Sequence, residues 1–266
     1  MAHELDTLAA ASTDAHELMN AAARAAASKD GADHEVLRKH LLNPGFLDKL
    51  DSAKDYQAPP QQLRLARVIK TLMDNRSPAS DATMTALVQD KVFVSVEPRQ
   101  ELMIRALAVV RPSPTPAVTY WREHSLPTAP YKHVAMDAMA DNGSEPAMRL
   151  FEENMANPSH EEQNKVAWMH DPILRNRYSP GVLASCERML KSGLPETLRP
   201  ALVASLADYR EEWYLSCDHP VPPSRAAASQ EAKTILLRIE EDALARIPLD
   251  PRTKAAVEAD LKWLRK

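Results

Sequence analysis

Two stretches of this sequence decide the expected fold: PAVTYWREH at residues 116–124 and PAMRLFEEN at residues 146–154. When they are aligned, Pro, Ala and Glu match in place, and three further positions keep their apolar character. Each stretch opens with a proline, which a helix tolerates in its first turn but not in its interior. We therefore interpret the two stretches as the second helices of adjacent helix pairs.

The first helices of these pairs carry a weaker repeat, a small residue followed by an apolar one. It recurs as Ala106-Leu107, Ala135-Met136, Ala167-Trp168 and Ala201-Leu202. The spacings of 29, 32 and 34 residues suit a helix-turn-helix repeat unit. Proline punctuation and apolar periodicity together predict helices at about 60–75, 80–94, 99–111, 115–125, 130–141, 145–156, 161–170, 180–192, 196–213, 229–246 and 250–265.

The composition agrees with an all-α fold. The 266 residues include only 5 glycines and 5% aromatic residues, beside 21 prolines. Sheet proteins use glycine in hairpins and aromatic residues in strands, so both shortages count against a large β component. The one β-like run, residues 92–96, is interpreted as the end of a buried helix entering its turn.

The short paired helices, the small residue in the first helix and the proline at the turn resemble HEAT or armadillo repeats over about residues 60–247. This resemblance implies a right-handed α-solenoid of antiparallel helix pairs. Its expected parts are an N-terminal helical cap region at 1–58, HEAT-like repeats at 59–247 and a C-terminal capping helix at 248–266. The repeat is shorter here than the family's spacing of about 40 residues, and a proline-rich loop at 219–224 interrupts the last unit.

The N-terminal region has a different character. The stretch 14–28 has a strong helix propensity and a capping residue, but few large apolar side chains. We expect such a helix to bury little surface, and either to fray or to cover the open end of the first repeat.

Charge and hydropathy exclude several classes of partner. With 33 Lys and Arg against 37 Asp and Glu, the net charge of −4 disfavours nucleic acid and anionic membranes as partners. No apolar run reaches the roughly 20 residues needed to cross a bilayer, so membrane insertion is not expected. Residues 1–6 lack the features of a secretory signal. A cytoplasmic location is therefore favoured, with a periplasmic or secreted one open if a signal peptide was removed.

Catalytic and metal-binding motifs are absent from the sequence, and we predict no catalytic residue, metal or cofactor. His160 with Glu161 and Glu162, followed by His170 and Asp171, has the right residue types for a divalent ion. The positive end of a helix dipole explains first-turn carboxylates more simply.

Three other features have both a chemical and an ordinary explanation. Cys186 and Cys217 either form one disulfide or are plain buried thiols. Cys217 beside Asp218 and His219 is either a nucleophile with its base or part of a surface loop. His124 and His133 at a turn are either a pH switch or exposed loop histidines.

The solvent sides of the second helices should form one continuous surface. They carry Arg122, Glu123, Arg149, Glu152, Glu153, Glu187, Arg188 and Lys191. Mixed charge of this kind suits a protein or peptide better than a polyanion. The predicted binding residues are Arg122, Arg149, Glu153 and Arg188, together with an aromatic anchor of Tyr209, Trp213 and Tyr214.

We therefore predict a non-enzymatic interaction or scaffold module that holds a protein or peptide along its helical groove. One alternative is a nucleic-acid enzyme of the HEAT-like DNA glycosylase type, which would need a basic groove. The other is an envelope binding protein with an oxidised Cys186–Cys217 pair.

Overall fold

The computed structural model describes residues 2–52, 54–111, 113–207 and 228–266. Within these ranges the protein has fifteen α-helices, short 3₁₀ and π-helical segments, and no β-strand, which confirms the all-α class. The chain divides into two compact units, residues 1–121 and 122–266. The division expected from the repeat resemblance, at 58 and 247, stays a prediction.

The first unit is built from eight helices, the last of which ends three residues into the second unit. They are α1 (Ala2–Ala11), α2 (Ala15–Ala27), α3 (Gly31–Leu41), α4 (Pro44–Leu50), α5 (Arg64–Asn75), α6 (Pro78–Gln89), α7 (Glu97–Ala106) and α8 (Thr115–His124). Helices that are not neighbours in the chain are in contact: α2 packs on α5 and α5 on α7, while α3 packs on α1 and α6.

Helix α2 departs from the expectation that it would bury little. Leu18 and Met19 are buried, and so are four of its alanines. Because alanine side chains are small, α5 contacts α2 extensively along this face. Large side chains are therefore not needed for a helix to be part of the core, and the expectation was wrong.

The second unit contains seven further helices. They are α9 (Lys132–Asn142), α10 (Glu145–Ala156), α11 (Glu162–Trp168), α12 (Pro180–Arg188), α13 (Arg199–Leu206), α14 (Gln230–Arg246) and α15 (Pro251–Leu264). π-Helical segments Met169–Ile173 and Met189–Gly193 continue α11 and α12. One row of contacts runs α10–α12–α14, and the other runs from α9 through α11 and its π-helical segment to α13 and α15.

Some helix ends differ from the predicted ones. Helix α6 ends at Gln89 rather than near residue 94, because the Asp90 carboxylate accepts a hydrogen bond from the backbone N–H of Phe93 and starts a 3₁₀ turn. Val92 is consequently 59% exposed, so this run is not the end of a buried helix. Of the helix predicted at 196–213, the structure shows α13 from Arg199, and the predicted end lies outside the described residues.

The repeat residues behave unequally. The apolar member of each pair is buried in all four repeats, at Leu107, Met136, Trp168 and Leu202. The small member, alanine in every repeat, is buried at positions 106 and 135. It is exposed at position 167 and half-buried at position 201. Trp121 and Phe151, which occupy equivalent positions in the aligned stretches, are both fully buried core residues.

Two of the five glycines meet at one contact between successive helix pairs. Gly143, after α9, has φ of +65°, a left-handed conformation that favours glycine. A Cβ on Gly181, in the first turn of α12, would stand 2.0 Å from the Gly143 carbonyl oxygen. The start of α12 therefore packs directly on the α9–α10 turn.

Replacing Gly181 with alanine should destabilise the protein by about 1–3 kcal/mol, because backbone must move to make room for the new methyl group. Urea unfolding followed by circular dichroism measures this change. Gly31→Ala is the matched control, since a Cβ there meets nothing within 4 Å. It should leave stability unchanged or raise it by up to about 0.5 kcal/mol. Equal stability of the two variants would contradict the close approach.

Candidate functional site

Three groups of ion pairs lie on the surface of the second unit, and we name them together the charged face. It comprises Arg122, Glu145, Arg149, Glu152, Glu153, Glu187, Arg188, Lys191 and Arg238. These residues lie on the last turn of α8, on α10, on α12 with its π-helical segment, and on α14. The row α10–α12–α14 thus carries the charged face.

Helix α10 is linked by ion pairs to residues on both sides of it. Arg122 donates to Glu153 at 2.5 Å. Arg149 pairs with Glu152 at 3.4 Å along α10 itself. Arg188 of α12 donates to the same Glu152 at 2.6 and 3.0 Å. One carboxylate on α10 is therefore shared between its own helix and the next.

Glu187 makes the equivalent link between α12 and α14. Arg238 donates two hydrogen bonds to it, at 2.7 and 2.6 Å, and Lys191 donates a third at 2.7 Å. These bonds, that from Arg238 foremost, lower the pKa of Glu187 to about 2, although burial opposes the shift. Glu152 acts in the same way on Arg188, whose pKa it raises. Glu187 and Arg188 therefore stay ionised at neutral pH.

The charged face runs into a cleft of about 160 Å³ between α12, α13 and α14. Its lining consists of Glu187, Leu190, Lys191, Arg199, Arg238, Ile239, Asp242, Ala243, Arg246 and Ile247. Four of these residues are cationic, two are acidic and four are apolar. The cleft therefore combines an apolar surface with a surplus of positive charge.

The structure brings four of the predicted binding residues together. Arg122, Arg149, Glu153 and Arg188 all lie on the charged face. The predicted aromatic anchor, Tyr209, Trp213 and Tyr214, lies outside the described residues.

The sequence-based prediction did not include α14 or the cleft. The charges it named end at Lys191, whereas Arg238 lies on α14, the next helix in the row α10–α12–α14. Extending the same rule by one helix would have found Arg238. Arg199 lies at the start of α13, a first helix, so that rule gives no signal for it.

A second cluster of polar side chains lies inside the same unit, and we name it the histidine cluster: His133, His160, Lys165 and Trp168. The Trp168 indole N–H donates to His133 Nδ1 at 3.0 Å. The ring of His160 meets Trp168 edge-on, with centroids 4.9 Å apart. His160 Nε2 lies 3.0 Å from Asn154 Oδ1.

The hydrogen bonds of Asn154 fix the tautomer of His160. Because the Asn154 amide nitrogen donates to Ser125 Oγ and Leu150 O, its oxygen accepts from His160 Nε2–H. His160 Nδ1 is then the bare nitrogen, and it is buried with no hydrogen-bond partner in the described part of the chain.

Burial and neighbouring cations keep the cluster's histidines neutral. Burial, then Lys165, Lys132 and His133, lower the pKa of His160, with a partial offset from the Ser125 carbonyl. Burial also lowers the pKa of His133 and of Lys165, the latter only 5% exposed. Trp168 is core and His160 is buried, whereas His133 is exposed in the first turn of α9. The lowered pKa of His160 links its protonation to stability.

The remaining candidates for chemistry are placed as follows. Cys186 is a free, buried thiol, and burial raises its pKa. Cys217, Asp218 and His219 lie outside the described residues. His170 Nδ1 approaches Ser205 Oγ at 3.4 Å. Over the described ranges, no group of three His, Cys, Asp or Glu side chains is arranged to hold a metal ion.

None of the described helices combines the length and apolarity needed to cross a bilayer. Comparison with protein-family models, curated proteins and solved structures finds no match to this chain. The charged face, the cleft and the histidine cluster are therefore the features from which function is inferred.

Replacing Glu187 with glutamine should lower the free energy of unfolding at neutral pH by about 1 kcal/mol. The effect is limited because Arg238 and Lys191 are more than half exposed and water screens them. Because folding lowers the pKa of this carboxyl group, its ionised form stabilises the fold above about pH 4.5, the ordinary pKa of glutamate. This stabilisation is lost as the pH falls towards 2. Urea unfolding at several pH values should therefore show wild type and variant converging in acid. A constant difference would contradict the assignment.

Stability should also depend on His160. Its pKa is lowered from 6.5 on folding, so the unfolded chain binds more protons and stability falls as the pH drops below about 6.5. His160→Gln, which keeps a donor for Asn154, should flatten this fall between about pH 7.5 and about pH 5.5. His16→Gln, at an exposed position, is the control and should keep the wild-type slope. The same slope in all three proteins would rule the cluster out as its source.

Proposed function

We propose that the protein is a non-enzymatic interaction or scaffold module that binds a protein or peptide partner through the charged face. We further propose that its helix pairs form a right-handed α-solenoid of HEAT-like repeats. The contacts between like helices of successive pairs support this arrangement within each unit. We place the module in the cytoplasm, in line with the sequence analysis.

One observation carries the proposed function, the sharing of carboxylates between successive helices. Glu152 accepts from Arg149 and Arg188, and Glu187 accepts from Lys191 and Arg238. With the pair Arg122–Glu153 and the contacts of Glu145, these ion pairs place five cations and four carboxylates on one surface. A pattern of both signs selects a partner with the complementary pattern, because a mismatched partner meets like charges.

The same pattern disfavours a nucleic-acid backbone. A duplex presents a uniform row of negative charges, and binding it requires cations that are free to neutralise phosphates. On the charged face every arginine is already paired with a glutamate. A phosphate row would also meet Glu145 and Glu153, which are more than half exposed.

A comparative capture experiment tests the proposal. Immobilised wild type and an Arg122→Glu, Arg149→Glu double variant are incubated with lysate of the source cell, and bound proteins are quantified by mass spectrometry. Both arginines are more than half exposed, so the double variant should fold. A specific partner should bind wild type and be reduced at least about tenfold on the variant, because two ion pairs across the interface become repulsive.

Arg265→Glu is the matched control. Arg265 makes a comparable exposed pair with Glu241 at the end of α15 and takes part in none of the ion pairs of the charged face. Its variant should retain the partner. Equal retention by all three proteins, or no specific partner in repeated trials, would contradict the proposed function. So would tight binding to duplex DNA that weakens steeply between about 50 and 200 mM salt.

A further inference from the structure

We infer that the cleft between α12, α13 and α14 binds an aliphatic side chain that is flanked by acidic residues in the protein partner. The inference rests on the proposed function and adds to it the chemistry of the bound segment. It follows from the floor of the cleft, from the cations at its rim and from its junction with the charged face.

The floor of the cleft is apolar and firmly supported. It consists of Leu190, Ile239, Ala243 and Ile247. Ala243 belongs to the buried cluster that includes Val203 and Leu261, and partly exposed Leu190 and Ile247 pack against that cluster. The volume of about 160 Å³ is near the roughly 150 Å³ that accommodates benzene in an engineered protein cavity. One aliphatic side chain therefore matches the space.

The cations at the rim differ in how strongly they are paired with carboxylates. Glu187 already holds Arg238 and Lys191, as described for the charged face. Arg199 has no comparable partner: its Nε donates to the Leu194 carbonyl at 3.3 Å, and the nearest carboxylate among the described residues is that of Glu196, at 3.9 Å. Because Glu196 is itself 90% exposed, this contact is weak.

Arg199 thus keeps most of its N–H donors unused. Its side chain is only 28% exposed, so a carboxylate reaching it would be partly shielded from water. Arg246 also lines the cleft, 75% exposed and 3.3 Å from Asp242. Two arginines around an apolar floor complement an aliphatic residue with an acidic residue on either side.

Carboxylates suit this rim better than phosphates do. Glu187 and Asp242 lie in the lining and repel a dense negative charge. Single carboxylates, separated by an apolar side chain, bring only one charge to each arginine and meet less repulsion from Glu187 and Asp242 than a dense row of charges does. A continuous phosphate backbone does not offer that spacing.

Binding of short labelled peptides tests the inference. The full chain is titrated, by fluorescence anisotropy, against fluorescein-labelled Asp-Glu-Leu-Asp-Glu, with Asp-Glu-Gly-Asp-Glu and Lys-Lys-Leu-Lys-Lys as comparison peptides. The leucine peptide should bind, and the glycine peptide should bind at least about tenfold more weakly because it lacks the apolar anchor. The basic peptide should not bind.

Variants then locate the site. Arg246→Gln changes a mostly exposed side chain and should still fold, and it should weaken the leucine peptide about fivefold. Arg199→Gln should weaken it at least as much. Arg265→Gln, outside the cleft, should leave the affinity unchanged.

The inference would be overturned by no binding of the leucine peptide up to about 1 mM, by equal binding of the basic peptide, or by equal competition from an oligothymidine. Affinity that survives both cleft variants would do the same. If a partner is still captured through Arg122 and Arg149 while the peptide fails, the inference about the cleft is wrong and the proposed function stands. If both fail, the proposed function is wrong as well.

Discussion

The structure depends on one constraint, that a short helix must bury its apolar face against other helices. In the second unit this requirement produces the row α10–α12–α14, with Phe151, Val182 and Leu236 fully buried along it. Once one face of each helix is committed to the core, the other is left to water. The outward faces of three successive helices then form a single surface, and their charges fall within hydrogen-bonding distance of one another.

Much of the fold could be predicted, because its strongest signals are local. Proline marks the first turns of α10, α12 and α15, and apolar periodicity fills the helices that follow. The failures have physical reasons. Helix α2 relies on alanine, which looks uninformative in a sequence although it permits close packing. The π-helical continuation of α11 includes Pro172, which has no N–H for the regular hydrogen bond, and no pattern announced it.

The site was predictable only in part, since its contacts join residues distant in the chain. Arg122, Arg149 and Arg188 followed from their places on second helices. Glu187 and Arg238, however, are 51 residues apart, and the buried pair of Arg177 with Asp260 spans 83. A single sequence does not show which charged side chains form ion pairs or become buried together in the folded protein. It shows only that a charge is present, and solvation is the ordinary expectation for it.

The position of the cleft follows from an irregularity in α12. After Arg188 this helix widens into the π-helical segment Met189–Gly193, and the cleft takes both Leu190 and Lys191 from that segment. A π-helical turn changes the direction of the side chains after it, and such turns frequently occur at functional sites. Here the widened turn contributes an apolar side chain and a cation to one opening, while Met189 remains in the core. The surface of paired charges thus gains an apolar recess at the point where regular helix geometry stops, and an apolar recess within a polar rim is what gives a binding surface its affinity.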